Sequence, residues 1–197
     1  MPHQLAHLNY LPLAPGENVD KWHTDTLQVD YVIFITDPNR VKGGEFQYFN
    51  GTREEMAELR ARGEPVPLER IIAPRMPGPG YAVLMQGDHV VHQARGVKEG
   101  ERITLVNGYT YLDSAARDYS AIGQLVHADP ERTVIAEYAR HMALRCRSRL
   151  DGCIDRPDFE TDAKGKAQQL RRARLELDDA IAQLESLGHE DMRHFGD

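Results

Sequence analysis

The chain has 197 residues, 41% of them hydrophobic, enough for one domain with a proper core plus an appendage. Its formal charge of −7, with no Lys/Arg run, argues against a nucleic-acid partner, because a phosphate backbone is bound through a basic face that releases counterions. No apolar run nears the roughly 20 residues that span a bilayer, and MPHQLAHLNY at the N-terminus lacks the basic and apolar regions of a signal peptide, so a cytoplasmic protein with no membrane partner is expected.

Up to about Leu112 the text reads as short strands separated by turns. QVDYVIFIT (Gln28 to Thr36) is rich in β-branched and aromatic residues and stops at the turn cluster Asp37-Pro38-Asn39. GEFQYF (Gly44 to Phe49) follows a glycine pair, and YAVLM (Tyr81 to Met85) lies between Pro77-Gly78-Pro79-Gly80 and Gly87-Asp88. HVVHQARGV (His89 to Val97) and RITLVNGYTYL (Arg102 to Leu112) are separated by Lys98 to Glu101, a hairpin-like connection. Such spacing, without helical crossovers, suggests an all-β sandwich or barrel. One insertion interrupts it between Asn50 and Gly80. There Thr52 and Glu55 form a capping-box pattern ahead of REEMAELRAR, and a Pro-rich stretch follows, an organisation that suits a lid or a surface excursion.

From Asp129 the period changes. Asp129, Pro130 and Glu131 make a helix start, and a helix to about Leu150 is expected, ended near Gly152. A second helix should run from about Ala163 to Leu187, with Leu170, Leu177 and Leu184 seven apart on one apolar stripe. That stripe suits packing against the first helix or a homodimer contact through the C-terminal helices. Cys146 and Cys153 are too few for a disulfide framework and should remain thiols in a reducing compartment.

The chemistry-bearing residues lie in the first part. His23 and Asp25, two apart, share a face if they lie on a strand and could grip one cation from adjacent rungs. An imidazole and a carboxylate are two members of a 2-His-1-carboxylate triad, which leaves open positions on a metal. His92, inside a late strand, is favoured as the third over His89, which follows the Gly87-Asp88 turn directly. Ten residues after His92, Arg102 opens a strand with Thr104 on the same face. A guanidinium with a hydroxyl beside it makes a carboxylate site.

These stretches, WHTD (Trp22 to Asp25), KGGEFQYF (Lys42 to Phe49) and GDHVVHQARGVKEGERITLV (Gly87 to Val106), resemble the Fe(II)/2-oxoglutarate-dependent dioxygenases. The resemblance covers roughly Leu8 to Leu112. It implies a mainly β fold, a double-stranded β-helix (jelly-roll, cupin-like) core over residues 1–118 with 51–80 as a lid-like insertion, then a C-terminal α-helical region over 119–197. It implies Fe(II) bound by His23, Asp25 and His92, and 2-oxoglutarate bound by Arg102 with help from Thr104. Leu5 to Leu13 would supply one strand, with Tyr10 facing the co-substrate. The implied activity is hydroxylation of a small molecule such as an amino acid or natural-product intermediate, with succinate and carbon dioxide formed from 2-oxoglutarate and oxygen, and ascorbate as a candidate reductant. Because Asp25 is present, the pattern departs from the halogenase branch, which lacks that ligand. Only 22 residues precede His23, fewer than is usual in the family, so either the C-terminal helices supply the missing support or the chain is a shortened version. Trp22, Gln28, Tyr31 and Arg75 are weaker candidates for substrate contact. Two other readings use the same residues differently: a cupin-like metalloprotein that needs no Arg102, and a catalytically silent scaffold that associates through its helices.

Overall fold

The computed structural model describes residues 7–11, 20–111, 113–127, 129–155, 158–188 and 195. They fall into two compact units, residues 7–109 with Phe195, and residues 110–188. No helix among the described residues is long and apolar enough to cross a membrane.

The first unit is built from strands β1 (His7–Leu11), β2 (Asp20–His23), β3 (Val29–Phe34), β4 (Lys42–Gly43), β5 (Phe46–Phe49), β6 (Ile71–Ile72), β7 (Ala82–Met85), β8 (His92–Ala94), β9 (Val97–Glu99) and β10 (Arg102–Tyr109), with one helix, α1 (Arg53–Ala61). One four-stranded sheet has the order β1-β10-β3-β7, a second β2-β8-β5-β6, and β4 pairs with β9. All pairings are antiparallel. The pairs β1/β10, β2/β8, β3/β7 and β5/β6 nest one inside the next along the chain, as if one long hairpin had been rolled so that it crosses repeatedly between two sheets.

Alternation along β3 buries Asp30, Val32 and Phe34 and leaves Tyr31 and Ile33 half-buried. Val32, Phe34 and Met85 of the first sheet meet Phe46 of the second in one cluster, so the sheets face each other across it. A second cluster joins Trp22, Phe49 and Val91 to Met56 and Leu59 of α1. Both capping-box bonds at Thr52 and Glu55 are made, at 3.1 and 2.8 Å. The insertion therefore holds a core helix and the strand β6 as well as exposed chain.

The hairpin expected between His89–Val97 and Arg102–Leu112 is not formed. β8 pairs with β2 and β5, β10 pairs with β1 and β3, and β9 in the connection pairs with β4. Gly100, at φ 92°, takes the reversal. A turn residue signals a change of direction without specifying the strand's partner, and here the chain steps from one sheet to the other.

The second unit holds α2 (Ile122–Leu125), α3 (Glu131–Asp155) and α4 (Ala163–Glu185). α3 starts as expected, with the Val134 amide donating to the Pro130 carbonyl at 3.1 Å, but continues through Gly152. One glycine inside a helix costs only about 1 kcal/mol against alanine, too little to stop it. α4 is capped by Asp162, which accepts from the Gly165 amide at 2.8 Å. Its inward face is Ala173 and Ala180, while Leu170 and Leu177 are exposed, so the leucine stripe does not pack against α3 as one expectation had it. Heptad spacing tells which residues share a face and not which face turns inward. A charged network does the joining: Arg145 Nε donates to Glu176 at 2.5 Å, His141 Nε2 donates to Asp118 at 2.5 Å, and an Arg145 terminal nitrogen donates to the Ala116 carbonyl at 2.7 Å.

Candidate metal centre

His23 ends β2, His92 opens β8, and the two are register partners. Opposed residues on neighbouring antiparallel strands project to one face, and the two imidazole rings lie 4.3 Å apart between centroids, tilted by 53°. Both rings are buried. Asp25 stands just past the end of β2, and its amide donates to the Gly87 carbonyl at 2.8 Å. That bond turns the carboxylate back so that Oδ1 lies 3.4 Å from His23 Nε2 and Oδ2 lies 3.4 Å from His92 Nε2. One ligand atom from each of the three residues lies within 4.8 Å of the others.

The imidazoles are oriented by the backbone. His23 Nδ1 donates to the Lys21 carbonyl at 2.7 Å, and His92 Nδ1 donates to the Val90 carbonyl at 2.9 Å. A carbonyl can only accept, so Nδ1 carries a proton in each ring, and Nε2, once free of its own proton, would offer its lone pair toward the shared point. Fixing the far nitrogen in this way is the usual means of presenting an imidazole to a metal. Burial works against ionisation of Asp25, but the imidazoles of His92 and His23 outweigh it and hold the carboxyl below the ordinary carboxylate range.

Sequence reasoning missed Asp30 behind this trio. It is fully buried, and burial, followed by the charge of Asp25 and a hydrogen bond shared with the Asp25 carboxylate, pushes its pKa up to about 10. Two glycines make room for it: a Cβ on Gly87 would lie 1.7 Å from Asp30 Oδ2, and one on Gly108 would lie 3.2 Å from Asp30 Oδ1. The clue was available, since Asp30 occupies an inward position of β3 in phase with Val32 and Phe34.

Arg102 and Thr104 come from β10 in the other sheet. Thr104 is the register partner of Phe34, so it shares the face that meets Phe46, and Arg102 two residues earlier lies on that face too. The guanidinium is buried, with its central carbon 5.5 Å from the Phe34 ring centroid, and it lines a cavity of about 230 Å³ with Phe34, Phe46 and Arg75. The Thr104 hydroxyl is buried without a hydrogen-bond partner.

The other sequence candidates fall elsewhere. Tyr10 is 58% exposed on the face of β1 opposite to Asn9, the partner of Thr104, and its hydroxyl donates to Glu101. Strand alternation thus points Tyr10 outward, which corrects the expectation that it faces a co-substrate. His89 is half-exposed and donates to Asp88 at 2.5 Å, apart from the trio. Trp22 is a core residue, Gln28 is fully buried, and Tyr31 lies on the half-buried side of β3. Arg75 is exposed at the cavity that Arg102 lines. Compared with protein-family models and with curated protein sequences, the chain matches none.

Proposed function

We propose that the chain is an Fe(II)- and 2-oxoglutarate-dependent oxygenase that hydroxylates a small molecule on a double-stranded β-helix scaffold. The observation that carries this reading is the convergence of His23, Asp25 and His92 with both Nδ1 atoms tied to backbone carbonyls. The donor set fits ferrous iron: two neutral imidazole nitrogens and one carboxylate supply three ligands and leave other positions open. The nested pairing of eight strands across two facing sheets supports the scaffold.

Fit to the co-substrate rests on β10. A buried guanidinium beside a buried hydroxyl that lacks a partner suits a carboxylate, which accepts from both. Arg102 and Thr104 would therefore hold the distal carboxylate of 2-oxoglutarate, and His23, Asp25 and His92 would hold the metal. When bound, the pair activates oxygen, with 2-oxoglutarate converted to succinate and carbon dioxide as the substrate C–H bond is oxidised. The chain's own contribution is placement. The backbone carbonyls of Lys21 and Val90 hold the two imidazoles in one tautomer, Asp25 keeps its negative charge, and Val32, Phe34, Phe46 and Met85 form a dry wall between the sheets.

The test is succinate release from 2-oxoglutarate under air with Fe(II) and ascorbate, over a panel of amino acids and related acids, for the intact chain, His23→Ala and Arg102→Ala. Succinate that appears only with the intact chain is the expected result. An anaerobic titration of Fe(II) and 2-oxoglutarate that yields no metal-to-ligand charge-transfer band would refute the reading whatever the substrate.

A further inference from the structure

We propose that the chain forms an antiparallel homodimer through α4, with two copies of the helix crossing near residue 176. Leu170, Leu177 and Ile181 recur at spacings of seven and four, which places them on one side of the helix, and they are 56%, 39% and 50% exposed. The face that α4 uses within its own chain is a different one, formed by Ala173 and Ala180. The leucine stripe is therefore an apolar surface with no function in the fold of this unit.

The charges of α4 identify the occupant. Lys164, Lys166, Arg171, Arg172 and Arg174 all precede residue 175, and Glu176, Asp178, Asp179 and Glu185 all follow it. This distribution opposes the helix dipole: no acidic residue lies in the first turn and no basic residue in the last. Cations near a helix N-terminus and anions near its C-terminus destabilise a lone helix. A second copy laid antiparallel reverses that balance, because its acidic half runs along the basic half of the first and the two dipoles oppose each other. A parallel arrangement would stack like charges, so the pattern also selects the direction.

Register follows from symmetry. The midpoint of Leu170 and Ile181 falls between residues 175 and 176 and that of Arg174 and Asp178 at residue 176, only about 0.75 Å of helix rise apart, so a two-fold axis near residue 176 brings both pairs close. It sets Leu170 against the second copy's Ile181 and Arg174 beside the second copy's Asp178. Arg174 and Asp178 already pair along the helix at 3.4 Å, and two such pairs side by side make a cluster of four alternating charges. Glu176 is held by Arg145 and Arg149 and stays within its own chain.

The experiment is the mass of the full chain by sedimentation equilibrium or light scattering, with two paired charge reversals. The intact protein is expected at twice 22.3 kDa. Arg171→Glu with Arg174→Glu reverses two cations of the basic half, and Asp178→Arg with Glu185→Arg reverses two anions of the acidic half. Each variant alone should be monomeric, and an equimolar mixture should recover the dimer mass. Arg171, Arg174 and Asp178 lie outside the end turns, and each variant trades the Arg174–Asp178 pair for a like-charge pair at a cost of under about 1 kcal/mol, so helicity by circular dichroism should stay close to that of the intact chain, which separates a lost contact from a lost fold. Leu177→Asp should weaken the dimer by at least about ten-fold. An intact chain that stays monomeric up to about 100 μM, single reversals that remain dimeric, or a mixture that stays monomeric would each overturn the proposal.

Discussion

Gly87→Ala adds one methyl group at the point where the chain's two site carboxyls approach each other. An alanine Cβ there would lie 1.7 Å from Asp30 Oδ2 and 2.9 Å from Asp25 Oδ2, whereas non-bonded heavy atoms settle at about 3.5–4.0 Å. The Asp30 oxygen would have to retreat by roughly 2 Å. It has no space to do so, because Asp30 is fully buried and Gly108, with Leu27 behind it, closes the other side. Part of the displacement must pass to Asp25, whose amide is bonded to the carbonyl of residue 87 itself. Metal–ligand distances tolerate only about 0.2 Å, so an Asp25 shift of even half an ångström takes the carboxylate out of reach. Fe(II) affinity should therefore fall by at least roughly 10- to 100-fold, and overpacking should lower stability by about 1–3 kcal/mol. Anaerobic calorimetric titration with Fe(II), alongside urea unfolding, reads both quantities. A folded Gly87→Ala protein that binds Fe(II) as tightly as the parent would refute the claim that this glycine sets the carboxylate's position.

Three further outcomes follow from single groups. Arg102→Lys keeps the charge but loses the planar fork, so the KM for 2-oxoglutarate should rise at least about ten-fold while kcat changes less; an unchanged KM in the succinate assay would remove Arg102 from the co-substrate site. Burial raises the pKa of Asp118, but hydrogen bonds with His141 and Ser120 outweigh it and bring the group from 3.8 to about 2, a contribution on the order of 2 kcal/mol. Because the folded value is the lower one, that stability is present above pH 3.8 and lost as pH falls through 2. Asp118→Asn should be weaker than the parent by that amount at neutral pH, with the gap closing between about pH 4 and pH 2 in urea unfolding followed by helical circular dichroism; parallel curves would count against the assignment. Gly152→Ala, where a Cβ meets nothing within 4 Å inside α3, should raise stability by about 0.5–1 kcal/mol and leave Fe(II) affinity unchanged in the same calorimetric titration.

What could be read from the sequence was local. Val29–Phe34 and Arg102–Tyr109 were recognisable because β-branched residues alternate there, and the start of α1 because its cap is side-chain chemistry written beside the helix. His23, Asp25 and His92 could be nominated together by residue type and spacing, and they are brought together in space. Tyr10 went wrong because it turns on which face of β1 points inward, and one step of register reverses that answer. The leucine stripe of α4 failed for a similar reason: small alanines won the inward face because Arg145, Arg149 and Glu176 bring α3 and α4 together on that side. Asp30 was overlooked because a carboxyl in an apolar strand is normally taken for a solvent-facing residue, and only its phase with Val32 and Phe34 shows otherwise.

The nesting of the strands also ties the metal site to long-range closure of the chain. His23 and His92 sit on the pair β2/β8, which encloses β3/β7 and β5/β6 along the chain, so the two imidazoles come from the ends of a long segment that must fold back on itself to bring them together. A cation held by His23, Asp25 and His92 would then clip the roll shut across the long intervening segment, and it would bind the closed form in preference to the open one. By mass action, a ligand present at 100 times its dissociation constant stabilises the form it binds by about 2.7 kcal/mol. Metal affinity and strand closure are therefore one equilibrium seen from two sides, and any substitution that loosens β2/β8 will weaken metal binding even where it touches none of the three ligands.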